Sequence, residues 1–210
     1  LTGSTPYAFD ADLDLLFATD TYGGTSHTAN GPQQVLTTPI PVTGAMVIAR
    51  DFDGDPVWIA DQNRAIQVFG VSAFSTVSLG DRVSFTATAL TNYFGELEVT
   101  GIDLVAGVTI TSSGNTVYIA NATNGPVDFD VTGARLVEFY GTVVGPTGQS
   151  CGSGTCYAIE HNGVTQRVNL PASFGIPPLP GDCMHFIAPV TWNWSDDRIS
   201  VSNFDWVRFY

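Results

Sequence analysis

Residues 79–99, LGDRVSFTATALTNYFGELEV, are written a second time at 180–201, PGDCMHFIAPVTWNWSDDRISV. A repeat of this length means that the chain builds one supersecondary unit twice, which restricts its fold more than any local motif does. Gly80-Asp81 corresponds to Gly181-Asp182, and Phe85 to Phe186. Past the loop, LEVTGIDLV (97–105) runs alongside ISVSNFDWV (199–207), matching Val99 with Val201, Asp103 with Asp205 and Val105 with Val207. In this alignment the second loop is one residue longer. Upstream, 42–70 parallels 138–171, each reading as strand, polar loop, strand, tight turn and strand.

Alternation such as Val83, Phe85, Ala87 and Val57, Ile59 has the period of half-buried strands, and no segment offers a long capped helical pattern. The chain is therefore predicted to be all-β. Five strands in a unit of about 70 residues is the OB-fold arrangement. The expected architecture is two tandem OB-fold (five-stranded Greek-key) barrels, at 39–107 and 134–210. An N-terminal extension (1–38) carries a strand, and the segment at 108–133 forms a connecting hairpin or sheet. The pattern TG-x-V-x-A…VWIAD…I-x-VFG…LGD-x-V-x-F…ELEVTGID resembles OB-fold modules found beside bacterial extracellular nucleases and in other exported proteins. That resemblance implies fold more than activity, because OB barrels host many unrelated sites.

In FDADLDLLF, Phe9, Ala11, Leu13, Leu15 and Phe17 alternate with Asp10, Asp12 and Asp14. This reads as a strand with one apolar and one acidic face, although helical spacing (Phe9, Leu13, Leu16, Phe17) also fits. Outside complete barrels such a strand has to cover an edge, on its own molecule or on a neighbour by strand addition.

The net charge of −13 arises from seven Arg and no Lys against 20 acids. Its average field repels polyanions, so nucleic-acid binding would need a local Arg or aromatic patch. The Thr/Ser/Gly-rich, weakly charged composition suits an exported chain, and a start at Leu1 rather than Met points to a removed leader. Apolar runs fall well short of the roughly 18 residues of a membrane span, so no membrane insertion is expected. Cys151 and Cys156 in CGSGTC have the spacing of a local disulfide, not of a metal or haem motif. Cys183, in an apolar run, is expected to be a buried thiol.

Asp51, Asp53 and Asp55 in DFDGD invite a calcium reading, but Pro56 and Gln62 stand where an EF-hand needs Gly and Glu. A solvated turn fits better. His27, His161 and His185 show no zinc spacing, and there is neither a nucleophile elbow nor a phosphate-binding Gly loop. No cofactor and no catalytic activity are expected. The sequons at Asn121 and Asn193 occur as often as chance allows.

The main functional signal is aromatic. Tyr93 and Phe94 sit in the loop between the last two strands of the first unit, and Trp192 and Trp194 in that of the second. Trp58, Arg64, Tyr157 and Arg167 lie on or beside strands 2 and 3, the surface that OB-folds use with that loop. Stacking on sugar or base rings is one role for these residues, and core packing is the other. Two functions follow. The first is a secreted, non-catalytic cell-surface or structural protein that self-assembles by donating its N-terminal strand. The alternative is an OB-fold binding module for single-stranded nucleic acid or glycan, accessory to an extracellular nuclease or hydrolase.

Overall fold

The computed structural model describes the backbone at 13–21, 31–51, 55–93, 95–121, 136–151, 154–171, 175–193, 196–200 and 207–209. Side chains are described within those stretches except at 121, 147–151, 154, 171 and from 191 on. Strands β1 (Gln34–Arg50), β2 (Val57–Ala60), β3 (Ala65–Val68), β4 (Arg82–Tyr93) and β5 (Glu96–Ile102) pair in the order β1-β2-β3-β5-β4. β4 also pairs with β1, so the sheet closes into a five-stranded barrel. Alternation drives Val42, Val47, Val57, Ile59, Ile66, Val68, Val83, Phe85 and Val99 into its core. The 17-residue β1 serves two neighbours by breaking register between Val42 and Ala45, where Gly44 takes a φ of +76°. Between β3 and β4 a short 3₁₀ helix (Ser72–Thr76) drops Phe74 into the barrel end, edge-on to Phe85 at 5.2 Å.

β6 (Thr109–Ser112) adds to β4 at the edge of this sheet. β7 (Ala120–Asn121) instead joins the second sheet, parallel to β8 (Leu136–Cys151). Over its described residues, 108–121, the connecting segment is therefore not a hairpin, because β6 and β7 belong to different sheets. The second sheet continues with β9 (Gly154–His161), β10 (Val164–Pro171), β11 (Cys183–Asn193), β12 (Asp196–Ser200) and β13 (Val207–Phe209). Its order is β13-β11-β12-β10-β9-β8-β7, with a further pairing of β11 on β8.

The repeat is visible at the level of single hydrogen bonds. The Asp81 carboxylate accepts the Ser78 N–H at 2.7 Å, and the Asp182 carboxylate accepts the Leu179 N–H at 2.7 Å. The Gly80 N–H donates to Val47 O, which Val47 returns to Asp81 O; Gly181, Val143 and Asp182 repeat the exchange. Gly80 has a φ of +81°, and a Cβ there would meet Asn115 O at 2.5 Å, so glycine is required. Beyond this turn the sequence alignment slips. Val99 pairs with Val68 and Leu90, whereas the residue that pairs with Val168 and Val190 is Ile199, not Val201. The cause is β4, whose register shifts at Ala89 and which carries one more residue between Phe85 and Leu90 than β11 does between Phe186 and Val190. The β4–β5 and β11–β12 loops are equal in length, since Tyr93 pairs with Glu96 and Asn193 with Asp196.

The N-terminal segment is a helix, α1 (Leu13–Thr19), and not a strand. Leu13 and Leu16, three apart, are fully buried in the core of the first barrel, while Leu15, which strand alternation would have buried, is 49% exposed. The Leu13 N–H donates to the buried Asp61 carboxylate, which also accepts from Asn63 and Arg64. Asp14 pairs with Arg64, whose guanidinium lies 4.6 Å from the centre of the Phe17 ring. A helix satisfies its own backbone and still presents two leucines to the barrel, which a lone strand could not do. Self-association through an apolar strand face of Leu13, Leu15 and Phe17 is thereby corrected; Phe9 and Ala11 lie outside the described residues. Leu16→Ala should lower stability by about 2–5 kcal/mol and leave the sedimentation coefficient unchanged. An unchanged melting temperature with a changed oligomeric state would refute this packing.

Cys183 is corrected too. It is free and exposed, because Met184, Phe186 and Ala188 take the inward parity of β11.

Candidate ligand-binding face

The aromatic and arginine residues singled out in the sequence do not converge on one surface. Trp58 is 2% exposed and belongs to an apolar cluster with Met46, Ile48, Ala60, Ala65 and Leu136. Tyr157 points into the core of the second sheet on the same parity as Ile159. Neither can stack on a ligand. Arg64 is held at the β2–β3 turn by Asp14 and Phe17. Tyr93 ends β4 half-buried. Phe94 and Trp194 lie outside the described residues; for Trp192 the backbone position alone is described, opposite Asp197. At the acidic loop, Asp55 accepts the Gly70 N–H at 3.0 Å and Asp53 is outside the described residues. Among the described residues no three metal-ligating side chains come together.

Strand register brings out a surface that the sequence did not. In the first sheet Trp58 faces Gln67 across β2–β3, and Gln67 lies alongside Glu98 on β5. In the second sheet Ala158 faces Arg167 across β9–β10, and Arg167 lies alongside Arg198 on β12. These triplets are 100 residues apart position by position. Trp58, Gln67, Glu98, Ala158 and Arg167 occupy the outer face, since the intervening residues Ile59, Ile66, Val68, Ile159 and Val168 point inward; for Arg198 the backbone position alone is described. The two copies have diverged in opposite directions.

The first copy is covered. Leu136 and Ile187 of the second sheet, with Val117 and Ile119 of the connecting segment, pack over Trp58, Ala60 and Ala65. Gln67 and Glu98 are buried on the same outer face. Burial pushes the Glu98 carboxyl up to about 8, with the charge of Asp55 adding to the shift, and Gln67 Nε2 donates to its Oε1 at 3.1 Å. At neutral pH this group is a neutral acid. A protonated carboxyl and an amide can be buried together where a carboxylate could not.

The second copy is open at the matching positions. Ala158, Arg167 and Asn169 are partly exposed, and Glu160 and Thr165 are exposed where the first copy buries Ala60 and Ala65. The face ends at one side in the β8–β9 hairpin and at the other in the β11–β12 loop, the two loops that border OB ligand surfaces. A small residue at 158 leaves room where Trp58 fills it in the first copy, and Arg167 adds hydrogen-bond donors beside that room. Elsewhere in the second sheet, β8 and β11 carry a second polar group. His185 Nε2 is hydrogen-bonded to Glu138 at 2.7 Å, and its ring stacks on Tyr140 at 4.3 Å.

No known protein family matches the sequence, and neither does any curated protein. Solved structures do match in extent. A tetrameric p202 HIN2 is 11% identical, with 87% of this chain and 95% of that chain covered, at a TM-score of 0.34. A murine DNA-binding protein bound to double-stranded DNA is 14% identical over 78% and 90%, at 0.39. The Ifi202 HINa domain in complex with 20-bp double-stranded DNA is 12% identical over 85% and 98%, at 0.39. At TM-scores below 0.5 these neighbours do not say what this chain binds, and they give no support to the expected tie to bacterial extracellular nucleases. The strand-donating cell-surface or structural protein expected from the sequence is nevertheless overturned. Its donor segment, over the described Leu13–Thr19, is a helix packed on its own barrel.

Proposed function

We propose that the chain is a non-catalytic binding module of two OB units, and that its second unit takes single-stranded nucleic acid on the outer face of β9, β10 and β12. The observation that carries this reading is the exchange of Trp58, Gln67 and Glu98 in the covered copy for Ala158, Arg167 and Arg198 in the open one. Arg167 and Arg198, two of the seven arginines of a strongly acidic chain, are neighbours in strand register. Phosphates need such cations. The first unit serves as a mount, its own face spent on the joint. The disulfide-bonded state of Cys156 suits an oxidising compartment, and among the described residues no helix is long and apolar enough to cross a membrane.

A glycan is the second reading. It is favoured by the net charge of −13 and by Glu160 and Asp196 flanking the two arginines. Fluorescence anisotropy with a labelled thymidine 12-mer across a salt series separates the two. For nucleic acid, Arg167→Ala should weaken binding by about 1–2 kcal/mol and reduce the salt slope by about 1. Binding of neutral oligosaccharides, with no salt dependence and no oligonucleotide affinity, would replace the first reading with the second. Failure to bind either would end both.

A further inference from the structure

The β8–β9 hairpin closes one end of the proposed face, and its pairing is interrupted. Pro146 pairs with Tyr157, the register then shifts, and only Ser150 with Thr155 and Cys151 with Gly154 follow before the turn. Among the described residues, few strand pairs therefore hold the end of the hairpin. Cys156, disulfide-bonded and with no exposed surface, stands on β9 opposite Asn169. Ala158, two residues on, stands opposite Arg167, so strand alternation sets Cys156, Ala158, Arg167 and Asn169 on one face. Among the described residues the buried Asn169 Oδ1 finds no hydrogen-bond partner. Of the three cysteines Cys183 is free, which leaves Cys151 as the partner that the sequence offers.

We propose that this face binds ligand only in the oxidised chain. The bond between Cys151 and Cys156 pins the hairpin and, through β9, fixes Asn169 and Arg167 where a ligand meets them. The proposal rests on the reading of the face as a ligand surface. Reduction by a dithiol breaks the S–S bond. Two electrons and two protons yield two thiols, and the dithiol closes to its own disulfide. A reducing compartment then keeps the site unformed and an oxidising one completes it. Because the bridge closes a short loop, its loss removes less stability than a long-range crosslink would, so the fold outlasts the site.

The test uses the full chain and a Cys183→Ser variant, each oxidised or treated with dithiothreitol and alkylated. A Cys151→Ser/Cys156→Ser double variant supplies the open state without reductant. Amide hydrogen exchange at Ala158, Arg167 and Asn169 should rise by roughly tenfold or more in the open state, with Ile59 and Ile66 in the first barrel unchanged. Affinity for the labelled thymidine 12-mer should fall by roughly tenfold or more. Unchanged exchange on β9 and β10 overturns the proposal, as does equal affinity in the two states. A rise in exchange throughout both sheets also overturns it, since the bond would then hold the fold and not the face. An oxidised chain that shows the local exchange difference but binds neither oligonucleotide nor glycan defeats the functional reading alone.

Discussion

Trp58→Ala should destabilise the chain by about 3–5 kcal/mol, the cost of emptying a large buried site, and should leave ligand affinity at the β9–β10 face unchanged. Trp58 fills the centre of the joint, under Leu136 and Ile187, with only 2% of its surface exposed. Its removal leaves a cavity bounded by the two sheets, so the loss falls on their docking as well as on the barrel. Trp58→Phe should be much milder. Among the described residues the buried indole Nε1 has no hydrogen-bond partner, and losing an unsatisfied donor offsets part of the lost packing. Urea unfolding with an anisotropy titration of each variant checks this. A Trp58→Ala variant of normal stability but weakened binding would return Trp58 to the ligand surface and undo the assignment of the first face to the joint.

Glu98→Gln should stabilise the chain increasingly as pH rises from about 4.5 to about 8. In the folded chain the Glu98 carboxyl titrates near 8, raised from 4.5 by burial and by Asp55. Between those values the folded state holds a proton that the unfolded state releases. The stability that Glu98 contributes is thus complete below pH 4.5, declines through the window, and is gone above pH 8. Glutamine keeps the neutral shape and a carbonyl acceptor for Gln67 while removing the titration. Relative to wild type the variant should gain roughly 1.4 kcal/mol per pH unit within the window, a few kcal/mol in all. Melting curves at pH 4.5, 6, 8 and 9 give the difference directly. A difference that stays constant across that range would show that Glu98 does not titrate in the joint.

Much of the architecture is legible in the residues, because it depends on short-range rules. The Gly-Asp turn is one example. Gly80 and Gly181 need positive φ, and Asp81 and Asp182 reach back three residues to an amide, so the same dipeptide marks the same turn twice. Period-two alternation likewise gives the inward residues of β2, β4, β9 and β11. The slip after Phe85 was not legible: a bulge at Ala89 adds one residue to β4 without leaving a Gly or Pro to mark it, and the second residue of the slip is the one the alignment added to a loop that is in fact equal in length.

The sequence by itself determined that Trp58 lies on the side of its strand opposite Val57 and Ile59, since parity along a strand is a local property. Only the tertiary structure decided what lies over each side. The outer face of β2–β3 is dry because Leu136 and Ile187, some 75 and 130 positions away, come down on it, while on the matching face of β9–β10 Glu160 and Thr165 are exposed. The N-terminal segment divides in the same way. Its leucines fit a strand or a helix equally well as a pattern, and the choice fell to the helix once Asp61 offered the Leu13 amide a carboxylate and the barrel core took up Leu13 and Leu16. Burial is a relation between distant parts of a chain, and a pattern of neighbours along the chain does not contain it.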